Sequence, residues 1–266
     1  MEGLGNLEDL DSLREAARYR AAYKNLRSWA QAGIAVVPFW FYIVVKYPRY
    51  ELEWVPELAV SAIVFVGAVA AYISVRSRAH LVFALALVMM GLAALGRAVA
   101  EMFSATIHPP LALAEAGFGL FWLYYGIKEA ESKEYAALDK PPPPVTQMRE
   151  LDCLAKEIKS KCESDGEKYV EARVWALPTS RTIGKLTPQV AVFVDEWGIK
   201  IRFARPGELD VELRRMGFLT DKRWVRMTIA DEKFTCTMSQ TSYGRILAWK
   251  ERAEAGASRT QEQQST

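Results

Sequence analysis

The sequence predicts a membrane all-α four-helix bundle followed by a cytoplasmic α+β domain, an antiparallel sheet of five to six strands with flanking helices. Two observations support this fold class. Four apolar stretches between Ser28 and Ile127 approach the roughly 20 residues that a membrane-spanning helix needs. After them the apolar density falls and alternating strand patterns begin. We therefore expect a transmembrane domain over residues 28–130 and an α+β domain over residues 148–255.

The four apolar stretches cover residues 28–45, 55–75, 79–96 and about 107–127. Basic residues cluster before the first stretch, between the second and third, and after the fourth. The positive-inside rule then places both termini in the cytoplasm and predicts a multi-pass integral protein of the cell membrane. The short loops favour antiparallel neighbours in one bundle.

The segments outside these two domains have simple predicted roles. Residues 1–27 are expected to form an amphipathic cytoplasmic helix, which lies either on the inner membrane surface or against the α+β domain. Residues 131–147 are predicted to contain the end of a charged helix and a proline-rich linker, because the run Pro141–Pro144 cannot continue a helix. The polar residues 256–266 are expected to be disordered.

A polar cluster marks the outer ends of the third and fourth apolar stretches. Its members are Arg97, Glu101, His108 and Glu115. Arg97 and Glu101 are four residues apart and can pair on one helix face, and Glu115 could also reach Arg97. We favour an ion pair that closes a helical hairpin, because charges within a membrane usually pair. The alternative is the polar outer vestibule of a small channel or transporter. The spacing matches no metal-binding motif, so no metal is expected.

Within the α+β domain, alternation predicts five strands, at residues 168–177, 189–195, 198–204, 222–230 and 233–239. Residues 178–184 are expected to be a loop. The segment 208–216 is ambiguous between a helix and a strand. Helices are expected over residues 146–162 and 241–255.

No catalytic signature is present in this domain. The two histidines of the chain, His80 and His108, both lie before it, and it contains neither a phosphate-binding loop nor a dinucleotide-binding motif. The cysteines Cys153, Cys162 and Cys236 form no C-x-x-C pair and read as free thiols. We therefore expect a non-enzymatic protein without a cofactor.

One candidate binding face follows from strand alternation. If their strands are neighbours, five side chains point outward together: Lys200, Arg202, Lys222, Trp224 and Arg226. Such a basic face could hold an anionic ligand, a nucleotide or the headgroup of an inner-leaflet lipid. It could also be the ordinary solvated face of an antiparallel sheet.

The leading functional prediction is a membrane-anchored sensing or docking domain, and the alternatives are the channel or transporter described above and an enzyme without a recognisable motif. The expected partners are the lipid bilayer, an anionic small ligand or a cytoplasmic protein, and a second copy of the chain. The formal net charge of +2 gives no preference for nucleic acid.

Overall fold

The computed structural model describes residues 10–46, 62–63, 65–70, 72–73, 77–102, 109–131, 133–162, 169–174, 180–216, 221–230 and 232–264. The chain divides into two compact units. The first, which we call the sheet unit, combines the residues up to Ala21 with those from Pro143 onward. The second, which we call the helical unit, contains Ala22–Pro142. One boundary therefore lies within a helix and the other within the run of prolines.

Regular elements account for most of the described residues. The long α-helices are α1 (Leu10–Lys46), α2 (Ser77–Met102), α3 (Pro109–Ala130), α4 (Val145–Lys161) and α5 (Gln240–Gln264), and the described residues 62–63, 65–70 and 72–73 are also helical. Short 3-10 helices cover Lys133–Asp139 and Pro206–Glu208. The strands are β1 (Tyr169–Val174), β2 (Ser180–Leu186), β3 (Ala191–Asp195), β4 (Ile201–Ala204), β5 (Leu209–Met216), β6 (Lys222–Ile229) and β7 (Glu232–Ser239).

The seven strands form one antiparallel sheet in the order β4-β3-β2-β1-β7-β6-β5, which curls into a half-barrel. Strands β6 and β7 pair along eight residues, and β1 and β2 along six. By contrast, β1 and β7 share only three register pairs, at Ala172, Arg173 and Val174 of β1. This β1–β7 junction, which we call the seam, is the place where the sheet is held most weakly.

The two faces of the sheet belong to two different cores. The inner face carries residues such as Val170, Phe193 and Met227, and it packs against Ile246 and Trp249 of α5. The outer face of β1–β4 packs against α4 and the first turns of α1, which contribute Leu10, Ala16, Ala17, Leu151, Ala155 and Ile158. All five residues of β3 are buried, because this strand is covered on both faces. Among the described residues, none from β5–β7 belongs to the outer core.

The helical unit is built around the close pairing of α2 and α3. A Cβ atom on Gly91 would lie 2.7 Å from the backbone nitrogen of Leu123, and one on Gly119 would lie 3.0 Å from the carbonyl oxygen of Gly91. Only glycine lets the two helices approach this closely. The sides of the helices away from this contact carry exposed apolar residues, among them Leu85, Leu92, Leu113 and Leu120.

The prediction of a four-helix membrane bundle is wrong. Within the part of the chain that the structure describes, one helical stretch, His80–Val99, is long and apolar enough to cross a membrane, and 44% of its best window is buried inside the protein. Core helices with this composition also occur in proteins outside membranes. The associated predictions of a transmembrane, multi-pass protein of the cell membrane with both termini in the cytoplasm are therefore not supported.

The predicted number of strands also needs correction, since the sheet has seven strands instead of five or six. Most of the segment expected to be a loop, residues 178–184, belongs to β2. The segment is polar, but the middle of β2 is buried in the sheet. Gly184 fits there because it leaves room for a large neighbour: a Cβ at this position would lie 2.6 Å from the ring of Phe193. The ambiguous segment 208–216 proves to be strand β5 over most of its length.

The amphipathic segment near the N-terminus continues without a break into the first apolar stretch, and together they form α1. Of the two environments considered for this segment, the described residues show packing on the sheet: Leu10, Ala16 and Ala17 lie in the outer core.

Candidate functional site

The structure does not bring the five predicted ligand residues onto one face. Lys200 and Arg202 lie at β4, which is at one end of the sheet, whereas Lys222, Trp224 and Arg226 lie on β6, next to the other end. The condition on which the prediction depended, that these strands are neighbours, is not met.

Arg202 in fact faces the inner side of the sheet. It is the register partner of Phe193, and cross-strand partners share a face. Its guanidinium carbon lies 5.4 Å from the ring centroid of Phe234, and its Nε lies 2.5 Å from a carboxylate oxygen of Glu232. Arg202 therefore ties β4 to β7 across the opening of the half-barrel. Its charge is already compensated there.

The three predicted residues of β6 do share the outer face. Lys222 and Arg226 are exposed, and Trp224 is partly exposed between them. Arg226 lies 4.0 Å from Glu212 on the neighbouring strand β5. The acidic side chain of Glu212 also pairs with Arg214 at 2.8 Å, so this part of the outer face carries mixed charge. Lys222 lies at the start of β6, beside the end of the seam.

The predicted polar cluster is placed only in part. Arg97 and Glu115 form an ion pair, with 3.3 Å between the guanidinium nitrogen and the carboxylate oxygen. Glu101 belongs to α2, and His108 lies outside the described residues. The pair joins α2 to α3, which is the hairpin-closing arrangement that the sequence favoured.

A cleft of about 420 Å³ opens in the sheet unit at the end of the seam. Beyond Ala172 and Met238, strands β1 and β7 no longer pair, and α5 begins directly after β7. Where β7 no longer pairs with β1, side chains from the first turns of α5 form hydrogen bonds with the backbone of β1. The Ser242 hydroxyl accepts a hydrogen bond from the backbone amide of Glu171 at 3.2 Å, and the Arg245 guanidinium donates one to the carbonyl oxygen of Tyr169 at 3.0 Å. The splayed strands and the helix start thus frame an open site, which we call the seam cleft.

Three cationic side chains converge on the seam cleft from three different elements. Arg173 comes from β1, Lys222 from β6 and Arg245 from α5. Hydroxyl groups of Thr237, Ser239 and Ser242 also line it. The hydroxyl of Ser239 accepts the amide of Ser242 at 3.0 Å and so caps the start of α5. The positive end of the helix dipole adds to the charge of the three cations.

Among the described residues, one carboxylate lines the seam cleft, and it is already engaged elsewhere. Glu171 forms a two-point ion pair with Arg181, with 2.8 Å from Nε and 2.8 Å from Nη2 to the two carboxylate oxygens. Arg173 and Lys222, in contrast, form no ion pair with any residue that the structure describes. Arg173 and Lys222 therefore bring to the cleft positive charge that no carboxylate in the described part of the chain pairs with.

The sequence pointed to one of these cations, Lys222, and missed the other two. Arg173 was hidden in a predicted strand whose partners were unknown. Arg245 falls within the predicted final helix, but its link to β1 depends on the sheet order. The one signal in the sequence was the run Ser239-Gln240-Thr241-Ser242, which places hydroxyls where a strand ends and a helix begins.

All three cysteines are free thiols. Cys153 is exposed on α4, Cys162 lies at the edge of the seam cleft, and Cys236 is buried in β7. Burial raises the pKa of the Cys236 thiol to about 12. Cys236 is therefore protonated near neutral pH and acts as a packing residue of the inner core.

Comparisons with known proteins do not assign a family. No protein-family model matches the chain, and no curated protein matches its sequence. Among solved structures the chain is similar to autoinhibited Vav1 at 10% identity, over 96% of this chain and 62% of that one, with a TM-score of 0.24. The chain thus spans less than two thirds of that structure, and a likeness this low carries no conclusion about fold or function.

Proposed function

We propose that the sheet unit is a non-enzymatic binding domain for a small anionic ligand, which it holds in the seam cleft. The observation that carries this proposal is the convergence of Arg173, Lys222 and Arg245 on one cleft, where the one carboxylate among the described lining residues is paired with Arg181 and neither Arg173 nor Lys222 pairs with a described acid. Cations without a counter-charge are the usual partners of phosphate and carboxylate groups. The sequence also led us to expect an anionic ligand, but on a different surface.

The composition of the cleft supports binding without chemistry. The described residues that line it include no histidine, and the one acid among them, Glu171, is committed to an ion pair. General acid–base catalysis most often uses a histidine or a carboxyl group that is free to exchange a proton with the substrate. The hydroxyl groups and cations fit the recognition of an anion, for which hydrogen-bond donors and positive charge are sufficient.

The position of the cleft suggests how binding would be sensed. A ligand in contact with Arg173 and Lys222 would connect β1 to β6 across β7, and contact with Arg245 would add α5. It would therefore reinforce the seam, which has only three register pairs of its own. A ligand that binds only the folded sheet raises the free energy of unfolding of that sheet.

The proposal can be tested by calorimetric titration of the full chain with pyrophosphate and inorganic phosphate. We expect pyrophosphate binding that weakens about tenfold, or about 1.4 kcal/mol, in Arg173→Gln and in Lys222→Gln. Lys233→Gln is the matched control, because Lys233 is exposed on the outer face of β7, away from the cleft. No binding by the wild type, or an equal loss in the control, would overturn the proposal.

A further inference from the structure

We infer that the ligand of the seam cleft carries a planar aromatic group next to its anionic group, as a mononucleotide does, and that Trp224 stacks on that group. The inference rests on the proposed function, because it takes the cations of the cleft as the anion site. Its own basis is the place of Trp224 in the register of the sheet.

One row of residues crosses the outer face at the mouth of the cleft. Trp224 of β6 is the register partner of Thr237 on β7, and Thr237 is the partner of Arg173 on β1. Neighbouring strands are about 4.8 Å apart, so Trp224 lies roughly 10 Å from Arg173 with Thr237 between them. Lys222 stands two residues from Trp224 on the same face of the same strand.

The burial of Thr237 shows that neighbouring side chains close over this position. Thr237 is only 7% exposed, although neither it nor any other described residue of β5–β7 belongs to the outer core. The side chains that flank it across the sheet are those of Trp224 and Arg173. The indole is itself partly exposed, so an aromatic surface borders a site that collects positive charge.

This combination matches a ligand with two different parts. Phosphate oxygens pair with guanidinium and ammonium groups, as the cations of the cleft require. A base adds a flat apolar surface, and stacking of a base on an aromatic side chain contributes to affinity without reading its sequence. A free phosphate or a sugar phosphate would use the cations but would offer no flat surface on which Trp224 could stack.

The test compares AMP, ribose 5-phosphate and adenosine in titrations of the full wild-type chain. We expect AMP to bind about tenfold more tightly than ribose 5-phosphate, a difference of about 1.4 kcal/mol, and adenosine to bind more weakly than both. Trp224→Leu should remove the advantage of AMP and leave ribose 5-phosphate unchanged. Trp224→Phe, which keeps an aromatic ring, should retain most of the advantage.

The outcomes separate this inference from the proposed function. Equal affinities of the wild type for AMP and ribose 5-phosphate would overturn the role of an aromatic group, and this comparison needs no variant to fold. So would an advantage of AMP that survives in Trp224→Leu. If ribose 5-phosphate still binds and its affinity falls in Lys222→Gln, the proposed anion site remains valid without the aromatic contact. If neither compound binds, both proposals fail.

Discussion

Arg20 is the most deeply buried charged side chain among the described residues of the sheet unit, with 1% of its surface exposed. Its guanidinium group donates to a carboxylate oxygen of Asp152 at 2.9 and 2.6 Å and to the carbonyl oxygens of Gly198 and Ile199, each at 2.8 Å. One side chain therefore fastens the start of α1 to α4 and to the turn between β3 and β4. These hydrogen bonds offset the cost of taking the guanidinium group out of water, so removing the arginine would leave its acceptors without a donor.

Replacing Arg20 with Met should destabilise the protein by about 2–4 kcal/mol, because the apolar stem is kept but Asp152 and two carbonyl oxygens lose their donor. The value lies below that of a fully buried ion pair, since Asp152 is 42% exposed and can regain water. Urea unfolding measures the change. Arg18→Met is the matched control on an exposed position of the same helix and should change stability by less than about 0.5 kcal/mol. Equal losses in the two variants would contradict the role of Arg20.

At Gly184 and Arg202 the sequence alone could not show which neighbouring side chains these residues contact. Gly184 looked like part of a loop, but in the sheet it stands between Val170 and Phe193, and a Cβ would lie 2.7 Å from the Val170 side chain. Arg202 was expected to point outward, yet its strand faces the other way. Both errors have one physical origin: strand alternation defines two faces, but only the packing of the whole sheet decides which face is inward.

The element that most clearly joins the sheet unit is the start of α1. Besides the contacts of Arg20, the guanidinium of Arg14 donates to Glu208 at 3.1 Å and to the carbonyl oxygen of Phe203 at 3.2 Å. Glu208 also accepts the backbone amide of Arg205 at 2.8 Å. These contacts bind α1 to the short 3-10 helix between β4 and β5. Amphipathic spacing in the sequence predicted the helix, and it left open the surface on which the helix packs.

The contact between Arg14 and Glu208 predicts a dependence on pH. Burial opposes ionisation of Glu208, but the hydrogen bonds donated by Arg14 and by the Arg205 backbone outweigh it and hold the pKa of Glu208 below its ordinary value of 4.5. A carboxylate whose pKa is lower in the folded protein contributes stability above its ordinary pKa and loses that stability as the pH falls through the folded value.

We therefore expect Glu208→Gln to be less stable than the wild type at neutral pH, by about 1 kcal/mol, and to approach the wild type near pH 3. Unfolding free energies measured at both pH values give the difference. In an Arg14→Gln background the same substitution should show a much smaller dependence on pH. A difference that grows on acidification would refute this contact as the cause.

The strands were predicted better than their arrangement. Segments with clear alternation, such as β6 and β7, were found within a residue or two at each end. Strand β2 was missed because its residues Ser180–Leu186 lack apolar alternation, and the neighbours β1 and β3 supply the burial that makes it a strand. The seam cleft could not be predicted for the same reason, since it exists only because β1 pairs with β7 in this order.

At the scale of the whole molecule, the apolar composition of a helix does not by itself show that the helix lies in a membrane. Hydropathy over about 20 residues identifies segments that could cross a bilayer, but a helix that packs against other helices can have the same composition. Within the described residues the stretch His80–Val99 alone meets the length and hydropathy criteria, and α2 uses part of its surface to pack against α3. The α+β character of the second half, by contrast, depends on local alternation and was identified correctly in outline.

Hydrogen exchange of the full chain, with and without saturating pyrophosphate, tests the proposed anion site most directly, because it locates the ligand as well as detecting it. We expect slower exchange of backbone amides in Tyr169–Val174, at the end of β7 and in the first turn of α5, the elements that border the seam cleft. This protection should be absent from the double variant Arg173→Gln/Lys222→Gln. Protection centred instead on the β3–β4 turn near Lys200, or bound pyrophosphate without protection at the seam, would contradict the site.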